Sequence, residues 1–317
     1  MNLRLTLSLA LPLLAVASVA IPRPVDRPSS ARTVALTFDD VPLGQGQPGT
    51  RCNGEKLLEV SRSITGALRE FHAPVAAFIT TGNICDQIRN PVLGEVIRTW
   101  QRSGAAIGNH GHRHLDPNTV PRPTYIADLA LADSLIRDAL GAAPRGSLRY
   151  FRHPFLHVGA DSATARGIER WLDQHQYTVA PVTVDNNEWI YARAYTLALA
   201  RRDSAMLVRL VPAYLEHIDQ AFAFAESMSV RVVGEEIPQI LLLHANELNR
   251  DHLREVLKVI EGRGYHFVSL AQALGHPAYR RPTQYLGPWG ISWILRWSRD
   301  SMVWRMDLPK TPEWVEQ

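Results

Sequence analysis

The sequence predicts an α/β fold, a distorted or incomplete (β/α) barrel with a helical insertion and a tryptophan-rich C-terminal tail. Three observations support this prediction. The chain of 317 residues is long enough to bury a large core. Short apolar segments rich in β-branched and aromatic residues alternate with amphipathic helical patterns, which is typical of parallel strands joined by crossover helices. About seven strand-helix units occur along the chain, and this number favours a barrel.

The predicted strands are short apolar segments, each followed by polar or turn residues. They cover residues 33–38, 73–80, 104–108, 148–152, 177–184, 239–244 and 265–270. Between most of them, apolar residues recur every three to four positions and predict helices. These helices cover residues 55–71, 91–102, 124–140, 165–175 and 251–264. The stretch 190–235 is longer than one crossover requires, so it predicts one or two additional helices with a break at Pro212, where a helical hydrogen bond is lost.

Composition divides the chain into four parts. Residues 1–20 combine an arginine, an apolar run and small residues before Ala20, which indicates a secretory signal peptide cleaved after that residue. An uncleaved membrane anchor is the alternative. Proline and serine in residues 21–32 indicate a linker. Residues 33–276 then form the main domain, and residues 277–317 form the tail.

The tail contains most of the tryptophans in the chain. Five of the eight fall there, at Trp289, Trp293, Trp297, Trp304 and Trp314. We expect these side chains to pack on the barrel, and the alternative is that they stack on sugars.

Charge and cysteine content indicate the compartment and the kind of partner. Loss of residues 1–20 removes one arginine and lowers the formal net charge from +3 to +2, which is too small to indicate nucleic-acid binding. The two cysteines, Cys52 and Cys85, predict one disulfide in an oxidising compartment, and free thiols are the alternative. We therefore predict an exported protein, periplasmic or extracellular, with no membrane span after cleavage. The sequence does not indicate which oligomeric state the protein adopts.

Polar side chains follow five of the predicted strands. They are Asp39-Asp40, Asn109-His110, Arg152-His153-Pro154, Asp185 and His244. Because barrel enzymes carry their catalytic groups at the carboxyl ends of the strands, these side chains predict one common site.

The stretch from residue 107 to 116 places three histidines within five positions. A strand would point His110, His112 and His114 to one face, whereas a helical turn would bring only His110 and His114 together. Two imidazoles and the carboxylate of Asp40 form a set that binds zinc with a position open for water. Water in such a position reaches a pKa of about 7 and becomes a nucleophile.

The same three ligands would also suit ferrous iron in an oxygenase. An oxygenase triad needs no partnered base and acid, however, and Asp39, Arg152 and His244 could supply such partners. The alternating strands and helices also differ from the all-β folds typical of those oxygenases. A hydrolytic site is therefore favoured.

The five polar segments resemble, in order along the chain, the five motifs of carbohydrate esterase family 4, the NodB-homology polysaccharide deacetylases. Those motifs are TFDD, H[ST]xxH, RxP[YF], DxxDW and LxH. In this sequence they stand as Thr37-Phe38-Asp39-Asp40, His110-Gly111-His112-Arg113-His114, Arg152-His153-Pro154-Phe155, Asp185-Asn186-Asn187-Glu188-Trp189 and Leu242-Leu243-His244. The resemblance extends from about residue 33 to 272 and implies a distorted (β/α) barrel with a catalytic domain at residues 33–276.

The resemblance implies a role for each matched position. Asp39 is implied to be the general base and His244 the general acid. One divalent metal ion, usually zinc, is implied at Asp40, His110 and His114, with His112 outside the ligand set.

Further implied roles surround the proton-transfer groups. Arg152 is implied to pair with the general base, and Asp185 or Glu188 to orient the general acid. Contacts with the sugar are implied at Pro154, Phe155 and Trp189.

Four positions depart from the family pattern, although every implied ligand and proton-transfer group is present. They are Val41 and Leu156, where the family usually has glycine, Gly111 in place of serine or threonine, and Glu188 in place of aspartate. The departures concern loop shape and the residues around His110 and His244.

The function implied is a metal-dependent hydrolase that removes N-acetyl groups from a chitin-like or peptidoglycan polysaccharide or oligosaccharide. Two alternatives stay open. One is an O-acetyl esterase acting on xylan-type polymers, and the other is a catalytically silent glycan-binding protein on the same scaffold.

Overall fold

The structure of the protein is a computed structural model that describes residues 31–141, 148–283, 285–298 and 308–316. The predicted signal peptide, most of the linker and Trp304 lie outside the described residues. No helix within those four ranges has the length and apolar character needed to cross a bilayer.

Seven parallel strands form one sheet at the centre of the fold. They are β1 (Arg32–Val41), β2 (Val75–Ile79), β3 (Ala106–Asn109), β4 (Leu148–Phe151), β5 (Thr178–Val179), β6 (Gln239–His244) and β7 (Tyr265–Phe267). Their order is β5-β4-β3-β2-β1-β6, and β7 pairs with the first residues of β1. Each predicted strand therefore exists, although the fifth is much shorter than predicted.

The sheet curls until its two ends meet. Val184, five residues after β5, forms a parallel bridge with Leu241 of β6. The amide of Leu242 donates to the carbonyl of Val184 at 3.1 Å, and the amide of Thr183 donates to the carbonyl of Ile240 at 3.0 Å. The predicted distorted (β/α) barrel is confirmed.

Helices connect the strands. They are α1 (Gly54–Glu70), α2 (Arg89–Arg102), α3 (Arg122–Leu140), α4 (Ser162–Gln174), α5 (Glu188–Arg201), α6 (Ser204–Val233), α7 (Glu247–Gly262), α8 (Leu270–Leu274), α9 (Trp293–Trp297) and α10 (Glu313–Glu316). Side chains cap several amino-terminal ends, because Asn53, Asp161, Asp203 and Asn246 each accept a backbone N–H.

The predicted helix break at Pro212 is wrong. The break falls instead at Arg202, which has a left-handed φ of 55°, and at Asp203, whose side chain caps α6. Pro212 lies inside α6 and is exposed, so the carbonyl freed at Val208, which is 76% exposed, can be hydrated. The buried face of α6 continues past the proline, and this packing keeps the helix intact.

A disulfide joins two loops at the carboxyl ends of the strands. Cys52, in the connection after β1, is bonded to Cys85, in the connection after β2. The amide of Cys85 also donates to the carbonyl of Arg51 at 3.0 Å. The pairing agrees with the sequence-based prediction.

Replacement of both cysteines by serine should lower the free energy of unfolding by about 3–4 kcal/mol, because the disulfide closes a loop with a separation of 33 residues in the unfolded chain. Denaturant unfolding monitored by circular dichroism measures this change. The wild-type protein under reducing conditions should match the variant. Equal stability of oxidised wild type and variant would contradict the prediction.

Candidate metal centre and active site

A cavity of about 420 Å³ opens at the carboxyl ends of the central strands. Eight of the predicted site residues line it, namely Asp39, Asp40, His110, His114, Phe155, Asp185, Trp189 and His244. The other three, Arg152, Pro154 and Glu188, are buried and lie outside this lining. His153 and His157 also line the cavity.

Three side chains that can bind a metal ion converge in this cavity. One ligand atom from each of Asp40, His110 and His114 lies within 4.8 Å of the other two. The Nε2 atom of His114 is 3.9 Å from Oδ1 of Asp40. Bonds of about 2.0–2.2 Å to zinc in a tetrahedral site place ligand atoms roughly 3.5 Å apart. The three residues therefore fit a small divalent cation after slight adjustment.

A bent loop, rather than a strand or a helical turn, brings the two histidines together. Residues 110–118 after β3 include Gly111 at φ 82° and His114 at φ 52°, and no helix forms there. The ring centroids of His110 and His114 are 4.9 Å apart. His112 lies outside the cluster, since its Nδ1 atom is 2.8 Å from the hydroxyl of Thr81. The helical turn considered from the spacing alone is therefore wrong.

Asp128 of α3 holds this loop in shape. Its carboxylate accepts the backbone N–H of His112 at 2.8 Å and that of Arg113 at 3.0 Å. Asn109 contributes a further contact, because its side-chain oxygen accepts the N–H of Gly111 at 2.8 Å. The sequence analysis missed Asp128, although an acidic residue on the buried face of a predicted helix was a usable signal.

The three candidate ligands differ in their burial and in their hydrogen-bond partners. Nδ1 of His110 donates to the backbone carbonyl of Arg152 at 2.9 Å, which leaves Nε2 with a free lone pair. Burial lowers the pKa of His114 to about 4, so this side chain is neutral at neutral pH. His114 also packs edge-on against Phe155, with ring centroids 4.5 Å apart. The hydroxyl of Thr80 donates to Oδ1 of Asp40 at 3.1 Å and orients that carboxylate.

Asp39 lies beside the guanidinium of Arg152. The Nη1 atom is 3.4 Å from both carboxylate oxygens, and both side chains are almost completely buried. Arg152 also donates through Nη2 to the hydroxyl of Thr37 at 3.0 Å and through Nε to the carbonyl of Ala180 at 2.8 Å. Its guanidinium lies 4.7 Å from the ring centroid of Phe78. The implied pairing of base and arginine is thus present as geometry.

His244 interacts with Glu188 and not with Asp185. Nδ1 of His244 donates to Oε2 of Glu188 at 2.7 Å. Burial lowers the pKa of His244, but the hydrogen bond and the charge of Glu188 outweigh it, and with the charges of Asp40 and Asp39 they raise the pKa to about 9. Burial raises the pKa of Asp185, which lines the cavity separately.

Two asparagines that the sequence analysis did not identify hold Glu188 in place. Asn249 of α7 donates to Oε1 of Glu188 at 3.0 Å and to the backbone carbonyl of His244 at 2.9 Å. Asn246 donates to the same Oε1 atom and also caps α7 through the N–H of Asn249. Both side chains follow the fifth motif closely, so the carboxyl end of β6 offered a signal for them.

Comparisons with known proteins bear on the family and the fold. The family model described as polysaccharide deacetylase matches residues 26–170. The resemblance to the polysaccharide deacetylase family is confirmed. No curated protein matches the chain.

Several solved structures of the family are similar to this chain. The chitin deacetylase from the fungal pathogen Colletotrichum lindemuthianum is 20% identical, with a TM-score of 0.52 over 78% of this chain and 89% of that chain. The family 4 carbohydrate esterase from Streptomyces lividans is 17% identical, with a TM-score of 0.47 over 76% of this chain and 95% of that chain. A family 4 pseudoenzyme from Bacillus anthracis is 14% identical, with a TM-score of 0.49 over 77% and 65%. The likeness to the fungal protein supports the fold.

At one position that departs from the deacetylase motifs, the backbone has a conformation that favours glycine. Leu156 stands where the family usually has glycine, and its φ is 56°, in the left-handed region that favours glycine. Phe155 before it has the same φ. The strained pair is held because Leu156 donates its N–H to the carbonyl of His153 at 3.0 Å, and its own carbonyl accepts a bond from Arg296.

Replacement of Glu188 by glutamine should lower the pKa of His244 by about one unit or more, because the neighbouring negative charge is removed. His244 is protonated below its pKa and loses its proton as the pH rises through it. The alkaline limb of the pH–rate profile should therefore move to lower pH in the metal-loaded variant, and kinetics across a pH series measure this.

The matched control is Glu255→Gln, which removes the same charge from a half-exposed position on α7. Its alkaline limb should coincide with that of the wild type. An unmoved limb in the Glu188→Gln variant would show that this carboxylate does not tune His244.

Proposed function

We propose that the protein is a metal-dependent deacetylase that removes N-acetyl groups from a chitin-like or peptidoglycan polysaccharide or oligosaccharide. One observation carries the proposal. The cluster of Asp40, His110 and His114 shares a cavity with Asp39 and with His244, and each of these two has its own buried charged partner. A ligand set between a base and an acid is an arrangement that supports hydrolysis of an acyl group by metal-activated water.

The three-residue cluster would hold one divalent cation, which we propose is zinc because two imidazoles and one carboxylate suit that ion. Such a cation supplies Lewis acidity, which activates water and polarises the acetyl carbonyl. Hydrogen bonds from His110 to the Arg152 carbonyl and from Thr80 to Asp40 orient the ligands before a cation binds.

Asp39 is the proposed general base. Its carboxylate is 3.6 Å from Nε2 of His110, so it lies at the edge of the cluster and within reach of water placed there. The guanidinium of Arg152 lies 3.4 Å from both of its oxygens and fixes the orientation of the carboxylate. In this arrangement Asp39 accepts a proton from the attacking water.

His244 is the proposed general acid. It is the register partner of Asp39 on the neighbouring strand β6, so the two side chains enter the cavity from adjacent positions. The Glu188 carboxylate holds its Nδ1 proton, which leaves Nε2 directed away from that partner. A protonated Nε2 donates to the departing amine, which is a poor leaving group until it receives a proton.

Aromatic side chains at the mouth of the cavity support a sugar substrate. Phe155 and Trp189 line the cavity and are 52% and 44% exposed. Exposed aromatic rings beside a polar cavity are typical of sites that bind the apolar faces of sugar rings. We propose that these two residues contact the sugar that carries the acetyl group, with Pro154 supporting the turn beneath them.

We further propose that the chain is exported and acts on its glycan in the periplasm or outside the cell. The bonded pair Cys52 and Cys85 supports an oxidising compartment. In this proposal residues 1–20 are a cleaved signal peptide, residues 33–276 are the catalytic domain and residues 277–317 are an extension of it.

Asp39→Asn should abolish acetate release while the cation stays bound, because the change removes the base and keeps all three ligands. We expect kcat to fall by about a hundredfold or more. Elemental analysis gives the metal content, and acetate release from chitooligosaccharides, peptidoglycan and acetylxylan gives the activity. Asp173→Asn, the same change at an exposed position on α4, is the control and should leave both unchanged.

Loss of the cation from Asp39→Asn would instead mean that Asp39 and Asp40 have exchanged roles. Tight metal binding without acetate release from any glycan in the panel would favour the silent glycan-binding protein. Release from acetylxylan alone would favour the O-acetyl esterase.

His244→Ala should impair amide cleavage far more than cleavage of an activated ester, because only the amine depends on protonation to leave. We expect a loss of about a hundredfold or more on N-acetylated oligosaccharides and a loss of about tenfold or less on nitrophenyl acetate. The control is His266→Ala at an exposed position of β7. Equal losses on both substrates would show that His244 is not the general acid.

A further inference from the structure

The C-terminal wall, which we define as residues 285–297, builds one side of the cavity. Gly290 is among the lining residues. A Cβ atom at this glycine would lie 1.7 Å from the carbonyl oxygen of Phe155, so the two backbones are in direct contact. The wall therefore adjoins the loop that follows β4.

One end of the wall is fixed to the barrel through buried contacts. Trp293 is 8% exposed and packs in a small apolar cluster with Leu156, Val182 and Leu242. The backbone N–H of Trp293 donates to the carbonyl of Val182 at 2.7 Å. The buried guanidinium of Arg296 lies 4.5 Å from the Trp293 ring centroid and donates to the carbonyls of Ile291 and Leu156. These contacts give this end of the wall a defined position.

The other end of the wall contacts the loop after β3. The side chain of Asn118 donates to the carbonyl of Gly287 at 3.4 Å. The same loop contains Asp116, which pairs at 2.7 Å with His157 of the cavity lining. The wall is thus held on two loops that shape the cavity.

Trp289 lies between these two attachment points and is 58% exposed. Its neighbour Gly290 lines the cavity, and the backbone N–H of Trp289 donates to the hydroxyl of Tyr285 at 3.3 Å. This indole at the rim of the cavity leaves apolar surface in contact with water. A ligand that stacks on it would bury that surface. Trp293, four positions later, is buried instead, so the exposure of Trp289 is specific to its place on the rim.

We propose that the C-terminal wall is a sugar-binding subsite, in which Trp289 stacks on a glycan ring outside the acetylated unit. This inference rests on the proposed function, because the occupant is the continuation of the same glycan. A pyranose ring presents a flat face of C–H groups, which suits an exposed indole, and its hydroxyls stay in water at the rim. The wall then selects for longer glycans.

The test compares Trp289→Ala with the wild type on short and long N-acetylglucosamine oligomers and on nitrophenyl acetate. KM for the long oligomers should rise about three- to tenfold, the size of one aromatic contact, while kcat changes little. The small ester does not reach the rim, so its hydrolysis should be unchanged. Trp289→Phe keeps a ring and should recover part of the affinity.

The matched control is Trp314→Ala, which removes a tryptophan that packs on the Arg209 guanidinium at 3.8 Å. This variant should keep the wild-type KM for every oligomer. Unchanged KM for long oligomers in Trp289→Ala would overturn the inference. So would equal losses on the oligomers and the small ester, since that pattern indicates damage to the fold or the centre.

Failure of the proposed function is distinguishable from failure of the subsite. If the wild type releases no acetate from any oligomer, the proposed activity fails. Equilibrium binding of the same oligomers, followed by titration calorimetry, then decides the inference alone. Weaker binding of long oligomers to Trp289→Ala than to Trp314→Ala supports the subsite, and equal binding overturns it.

Discussion

The buried guanidinium of Arg152 is the constraint on which the site depends. It donates to Thr37 of the central strand and to the carbonyl of Ala180 beyond β5, and it faces the carboxylate of Asp39. The carbonyl of the same residue accepts the proton of His110. A buried guanidinium without partners would be strongly destabilising. Loss of one of these contacts is therefore expected to weaken the others. One residue therefore links the curl of the sheet to the proposed base and to one proposed ligand.

Around the cavity, three polar supports serve three different groups. Arg152 orients Asp39, Asp128 shapes the loop that carries His110 and His114, and Glu188 holds His244 together with Asn246 and Asn249. These supports come from different parts of the chain, directly after β4, on α3, and at the starts of α5 and α7. Each is buried, where hydrogen bonds are strong and geometry is well defined. The groups that they position line the cavity itself.

The sequence predicted the fold and the residues that enter the cavity, because strand ends in a parallel barrel share one edge. Asp40 and His244 could be identified in this way. Supports such as Asp128 and Asn249 left only a weak signal in the sequence, since the groups that they contact depend on loop shape and on elements far apart in the chain. Pro212 shows a related limit, because local propensity predicted a break that the packing of a long helix overrides.

The contacts of Asp128 are mainly with backbone N–H groups of the ligand loop, and this has a consequence for how the centre is assembled. The loop takes its shape while the chain folds, so the entropy of ordering it is lost before any ion arrives. In the proposed function, a cation would bind to a loop that is already ordered, so the free energy of binding would not be reduced by the cost of ordering that loop.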